Sequence, residues 1–215
     1  MTHILKNGLL CDYDELGLIK ILHLRMRNFF RLSSSEMKLI REKHSDVLDR
    51  LQKCFCKVDN KYYQNRDKTF FSTNHSGQYL AYLYFYSLEF SLLGHELKEK
   101  FYYLNKILHS VDIYSEVRLP EVFFFEHPLG MVLGRANYGD NFFAMQGCTV
   151  GGNKGKYPII GNNVKMFSNA KIVGNCIVGN NVWISANTYL KDCNVPANTI
   201  VFGQSPNLIF KELKQ

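Results

Sequence analysis

No proline occurs before residue 120 in this chain of 215 residues, and only four of its fifteen glycines lie before residue 130. The first half therefore lacks the residues that interrupt helices, whereas the second half holds all five prolines and eleven glycines. Cysteine is sparse. Cys11, Cys54, Cys56, Cys148, Cys176 and Cys193 form no CxxC pair, which excludes a dense disulfide scaffold, and Cys54 and Cys56 lack a second ligand pair at zinc spacing. Buried thiols and no metal are expected. No apolar run approaches the roughly 18 residues of a membrane span, and Asp12, Asp14 and Glu15 interrupt any basic-then-apolar signal segment at the start. A cytoplasmic protein without a membrane span is expected. With 46% hydrophobic and 21% charged residues, the composition is globular.

A net charge of +7 raises the question of nucleic acid, but its distribution answers against it. Residues 1–111 carry 17 Lys and Arg against 12 Asp and Glu, and residues 112–208 carry 7 against 6. The excess lies in the first half, interleaved with acids as in Arg41, Glu42, Lys43 and Asp46, which is the pattern of a solvated helical face.

Up to about residue 110 the apolar spacing is helical. Leu18, Leu22, Met26 and Phe29 form one run, and Ile40, Val47, Leu48, Leu51 and Phe55 the next, with Ser33 and Glu36 as a capping box at its start. Gln78 to Leu93 is apolar or aromatic on nearly every side, so this helix is expected in the core or at a subunit contact. Its aromatics lack the interleaved cations of a base-stacking platform. A fourth helix fits Glu96 to His109, with Leu97, Phe101, Leu104 and Leu108 on one face.

After Val111 the period becomes six. Ile160, Met166, Ile172, Val178, Ile184 and Leu190 follow one another at that spacing, and Val164, Ala170, Cys176, Val182 and Thr188 stand four residues after the first five. Tyr138, Ala144 and Val150 keep the same period, while the step from Val150 to Ile160 is ten, which marks a loop of four extra residues between coils. A helix cannot hold one face at a period of six, and one long strand would bury every second residue. Short strands joined by regular corners can, with the turns of Gly161-Asn162-Asn163, Gly174-Asn175 and Gly179-Asn180-Asn181 tolerating positive φ. The fold expected is α+β: an N-terminal α-helical domain (1–110), a parallel β-helix of hexapeptide repeats (111–208) and a C-terminal tail (209–215).

Three segments of the second half resemble the serine acetyltransferases among the left-handed β-helix acyltransferases. Val111-Asp112-Ile113 through Glu126-His127 is similar to their VDI…DH segment, Gln146-Gly147-Cys148-Thr149-Val150-Gly151-Gly152 to QxVTLGG, and Val201-Phe202-Gly203-Gln204-Ser205-Pro206 to VVGxPA. In the helical half the likeness is limited to His75-Ser76-Gly77-Gln78-Tyr79. The resemblance implies a left-handed β-helix and a homotrimer with acetyl-CoA lying along the coils in a cleft between neighbours. An assembly of two trimers through the helical half is a further step that it allows.

It also implies roles. A hydroxyl is a poor nucleophile near neutral pH, so a base must take its proton, and His127 stands where the family has its catalytic base, with Asp112 as its orienting acid. A strand histidine satisfied by a carbonyl is the plainer alternative for His127, and capping of the first coil is that for Asp112. Gly151 and Gly152 match the glycines beside the thioester, where a backbone amide can meet a developing oxyanion. Ser168 and Ala186 match small residues along the pantetheine arm of the cofactor, unless both are simply turn positions. Val150 to Tyr157 is not a nucleotide P-loop, because Gly152 and Gly155 are too close together and Tyr157 stands where Ser or Thr is required.

The substrate-binding positions depart from the pattern. Glu126 replaces the Asp before the base, Lys156 and Tyr157 replace Arg-His before Pro158, and the loop is shorter by four residues. Lysine lacks the bidentate fork of arginine, and a tyrosine ring suits a sugar face. The expectation is an acetyl-CoA-dependent O-acetyltransferase acting on a sugar hydroxyl of a bacterial surface glycan. A serine O-acetyltransferase of cysteine biosynthesis is the alternative, and a non-catalytic β-helix scaffold is the alternative of another class. No nucleic acid partner is expected.

Overall fold

The computed structural model describes residues 2–65 and 67–214. Two compact units make up the chain, Met1–Leu108 and His109–Gln215.

The first unit is built on helices α1 (Glu15–Arg27), α2 (Ser34–Phe55), α3 (Ser76–Leu92) and α4 (Leu97–His109). Helix α1 starts at Asp14, whose carboxylate accepts from the Gly17 amide at 2.7 Å, and ends in Arg25 and Arg27, cations suited to the helix C-terminus. Phe29 lies beyond this end and is 49% exposed, so it does not extend the apolar face expected of it. The capping box on α2 is present: the Glu36 amide donates to Ser33 Oγ at 3.2 Å and the Ser33 amide to Glu36 Oε2 at 2.8 Å. Helix α3 is buried on every side from Gly77 to Phe90. Its rings pack on one another and on α4, with Tyr86 stacked on Phe101 at 4.6 Å between centroids. On α4, Leu97, Phe101 and Leu104 are buried, but Leu108 is 40% exposed.

Among the described residues, four short strands complete this unit: β1 (His3–Ile4), β2 (Leu10–Cys11), β3 (Gln64–Asn65) and β4 (Lys68–Phe71), in the order β1-β2-β4-β3. Nothing in the sequence pattern announces them, since strands of two to four residues carry little readable alternation.

The second unit is a parallel β-helix with three faces. The first face is β5 (Phe123–Glu126), β8 (Phe142–Met145), β11 (Lys165–Met166), β14 (Val182–Ile184) and β17 (Thr199–Gln204). The second is β6 (Val132–Leu133), β9 (Thr149–Gly151), β12 (Lys171–Val173) and β15 (Tyr189–Lys191). The third is β7 (Asn137–Tyr138), β10 (Ile159–Ile160), β13 (Ile177–Val178) and β16 (Asn194–Val195). The six-residue series from Ile160 to Leu190 is wholly buried, as are the residues four positions on, from Val164 to Thr188. Lys165 pairs with Trp183, one 18-residue coil on, whereas Phe143 pairs with Lys165, 22 residues on. The four extra residues are the loop between Val150 and Ile160.

Corners are of two chemical kinds. Asn141, Asn163, Asn181 and Asn198 all have φ between 55° and 57°, and each of the first three donates its side-chain amide to the next at 2.9–3.0 Å, forming a ladder that satisfies the turns. Beside it Gly139, Gly161 and Gly179 stack from coil to coil, and they serve by having no Cβ and not by positive φ. A Cβ on Gly139 would come within 2.3 Å of the Gly161 carbonyl carbon. Strand β18 (Asn207–Glu212) pairs antiparallel with β17 and so runs across the junction expected at 208/209.

Candidate functional site

Among the described residues strand β5 pairs on one side only, with β8, so it forms the outer end of the first face. Its last residue is Glu126, paired with Met145 and half-buried, and His127 follows at the corner toward the second face. His127 is exposed and has φ 48°, an uncommon conformation for a residue with a side chain. The turn is held by the Leu129 amide, which donates to the His127 carbonyl at 2.6 Å.

Continuing the strand register past Glu126 and Met145 puts His127 above Gln146. The next rungs are Ser168 and Ala186, because the Asn169 amide donates to the Gln146 carbonyl and the Asn187 amide to the Ser168 carbonyl, each at 2.9 Å. His127, Gln146, Ser168 and Ala186 thus form one column along one edge of the β-helix. Three of its members are sequence-predicted site residues. Gln146 is the one that the sequence reading passed over without a role, although its motif was noted. Its Oε1 is buried without a hydrogen-bond partner among the described residues.

Asp112 stands at the same end. The segment before β5 returns beside β6: the Gly130 amide donates to the Ser110 carbonyl at 3.0 Å, the Asp112 amide to Met131 at 2.9 Å, and the Leu133 amide to Asp112 at 2.9 Å. Asp112 is therefore bridged to Val132 and heads the outward-facing column Val132, Thr149, Lys171, Tyr189 of the second face. Backbone pairing holds both candidate polar groups at the first coil, one on the corner and one on the adjoining face.

The inserted loop leaves from the opposite edge of the second face. Asn153 and Lys156 exchange both backbone hydrogen bonds at 2.9 Å, with Lys154 (φ 48°) and Gly155 (φ 73°) as the central residues of a hairpin turn. Among the described residues no helix follows this turn, unlike a nucleotide P-loop. Asn153 Nδ2 donates to Asp192 Oδ2 at 2.9 Å, anchoring the loop to a later corner. The Asp192 carboxyl is held below its usual range, first by the Asn175 amide and then by the Asn153 side chain.

The two candidate glycines differ. A Cβ on Gly151 would meet nothing within 4 Å, so a ligand can approach its backbone, whereas a Cβ on Gly152 would come within 2.7 Å of the Tyr157 ring. Gly152 seats Tyr157. The ring lies beside Gly152 and remains 46% exposed, so it packs against the loop while part of it stays open to solvent. Lys156 is exposed. Within one chain the second face, three residues wide or roughly 10 Å, separates the loop's corner from that of His127.

Cys148 is an interior corner residue. It is fully buried, its thiol donates to the Phe167 carbonyl at 3.2 Å, and burial pushes its pKa up to about 11, which excludes a ready thiolate nucleophile. Among the described residues no group of three potential metal ligands is gathered, and no helix is long and apolar enough to cross a membrane.

No protein-family model matches the chain. Curated proteins do. Serine acetyltransferase of Synechococcus elongatus is 36% identical over 115 residues, 51% of this chain and 46% of the relative. Those of Staphylococcus epidermidis (33% over 114 residues, 51% and 53%) and Staphylococcus xylosus (34% over 125 residues, 52% and 57%) are similar. The matches span about half the length of these relatives. Solved structures extend the likeness of fold to nearly the whole chain. A serine acetyltransferase in complex with CoA superposes with a TM-score of 0.71 at 18% identity, covering 92% of this chain and 84% of that one. The Neisseria gonorrhoeae serine acetyltransferase does so with a TM-score of 0.69 at 19% identity, covering 92% and 80%. The helical region followed by a left-handed β-helix is thus a fold shared with solved serine acetyltransferases.

Proposed function

We propose that the protein is an acetyl-CoA-dependent O-acetyltransferase whose acceptor is L-serine. The observation that carries the activity is the column His127, Gln146, Ser168, Ala186, headed by a solvent-exposed imidazole beside the Asp112 column. In this reading Ser168, Ala186 and the open backbone of Gly151 line the cofactor, and Glu126 and Lys156 serve the acceptor. His127 removes the acceptor hydroxyl proton as the oxygen attacks the thioester carbonyl, a backbone amide stabilises the oxyanion, and CoA leaves as the thiol after taking up a proton. Asp112 orients and steadies the imidazolium. The transfer is direct, because Cys148 is no nucleophile.

The choice of acceptor reverses the glycan expectation. That expectation leaned on Glu126, Lys156 and Tyr157 together, and the relatives favour the other acceptor. Each curated relative cited above is named a serine acetyltransferase, and among the structural neighbours one is a complex with serine and another with cysteine. Lys156 supplies a cation for an amino-acid carboxylate without the fork of arginine. Since the loop and the His127 column occupy different edges of one chain, the proposed site is completed by a second copy, in a homotrimer. Release of CoA thiol with L-serine, at a kcat/KM of about 10⁴ M⁻¹s⁻¹ or above, supports the reading. Turnover with nucleotide- or lipid-linked sugars and not with serine restores the glycan acceptor. Neither saturable CoA binding nor turnover leaves a scaffold.

A further inference from the structure

Two thiols sit one above the other where the last coils turn into the third face. Ile177 pairs with Asn194 in parallel register, and the Ile177 amide donates to the Cys193 carbonyl at 3.2 Å, so Cys176 and Cys193 are in-register neighbours on adjacent coils. Neighbouring strands lie roughly 4.8 Å apart, within the range of Cα separations that a disulfide spans. The pair is chemically unequal. Cys176 is 1% exposed and its thiol donates to the Val173 carbonyl at 3.3 Å, whereas Cys193 is half-buried. Cys193 closes the stack toward the end of the β-helix, where the Ser205 hydroxyl donates to its sulfur at 3.7 Å.

We infer that Cys176 and Cys193 are an oxidative modification site, at which a peroxide converts the two thiols into a disulfide that staples the last two coils. Cys193 is the thiol an oxidant reaches. Its sulfur attacks the peroxide, forming an S–O bond as the O–O bond breaks and water leaves. The Cys176 sulfur then displaces the sulfenic hydroxyl as a second water, so that two thiols and one hydrogen peroxide yield one disulfide and two waters. Burial pushes the Cys176 pKa up to about 11, which keeps it from reacting first with the oxidant, and its attack on the sulfenic acid follows loss of its proton. Cys193 adjoins Asp192, the residue that anchors Asn153 of the inserted loop, so the staple also fixes that loop's foothold.

The test uses the full chain with Cys56→Ser, which removes an exposed thiol able to link two molecules. After brief treatment with hydrogen peroxide and alkylation, trypsin separates Cys176 (peptide 172–191) from Cys193 (peptide 192–211). Expected are loss of two of the five remaining thiols and a species with the mass of both peptides less two hydrogens, abolished by reductant. In Cys176→Ser the same treatment leaves Cys193 as a sulfenic acid trapped by a dimedone probe. Cys193 found as sulfinic acid or alkylated while Cys176 stays unlinked, or a link from either to another cysteine, overturns the inference. The mass measurement on the Cys56→Ser chain decides this even if Cys176→Ser does not fold, and it does not depend on the acceptor or on any turnover.

Discussion

At the scale of single residues, His127 and His44 make opposite use of the imidazole. His127 is exposed at a corner, open to the proposed acceptor. His127→Ala is expected to lower turnover by about 10² or more with little change in CoA affinity, since a base acts on the transition state and not on the bound cofactor. Asp112→Asn is expected to cost less, because the base remains and only its orientation suffers. Near-normal kcat in a folded His127→Ala enzyme would end the assignment. His44, by contrast, is buried in the helical unit with its Nδ1 hydrogen-bonded to the Tyr86 hydroxyl at 2.6 Å and its Nε2 without a hydrogen-bond partner among the described residues. Burial lowers its pKa to about 4, against a weaker opposing pull from Glu15. The folded state therefore binds fewer protons than the unfolded state between about pH 6.5 and 4, and stability falls as pH drops through that window, by up to about 3 kcal/mol. Urea midpoints at pH 7 and 4.5 should differ less in His44→Gln than in the parent, and equal pH dependence in the two would contradict this.

At the scale of elements, the corners of the β-helix carry the strictest demands. Gly161 lies between two other glycines, and a Cβ there would come within 2.7–2.8 Å of the Gly179 backbone, which cannot move aside as a side-chain tip could. Gly161→Ala is expected to destabilise by about 1–3 kcal/mol, as overpacking of a tight interior does, read as a lowered unfolding midpoint with the helical signal retained. An unchanged midpoint would mean that the coils can part at no cost. Helix α2 illustrates the reverse case, in which an element was fully legible: Ser33 and Glu36 marked its start, and the buried set Ile40, Val47, Leu48, Leu51 and Phe55 followed its period. Strands β1 to β4 were not legible, because each is two to four residues long and owes its place to long-range pairing such as Leu10 with Phe70.

At the scale of the whole molecule, the proposed site needs more than one copy of the chain, since the second face parts the inserted loop from the His127 column. Sedimentation equilibrium is expected to give a mass of at least three chains, and mixing of His127→Ala with Lys156→Ala chains should restore part of the activity that each lacks alone. A fully active monomer would refute the shared site. What the sequence determined by itself was whatever depends on a short repeat: the period of six, the coil interior from Ile160 to Leu190, and the four-residue insertion all follow from side chains that meet the same environment once per face. The tertiary structure alone decided which of the candidate residues stand together. Coils of unequal length, 19 residues from Glu126 to Met145 and 22 from Phe143 to Lys165, set the register that aligns His127 with Gln146, Ser168 and Ala186 and brings Cys193 beneath Cys176. It also decided that the Tyr157 ring belongs to Gly152. That contact depends on the backbone path of the hairpin through Lys154 and Gly155, and a path through positive φ has no periodicity from which it could be read.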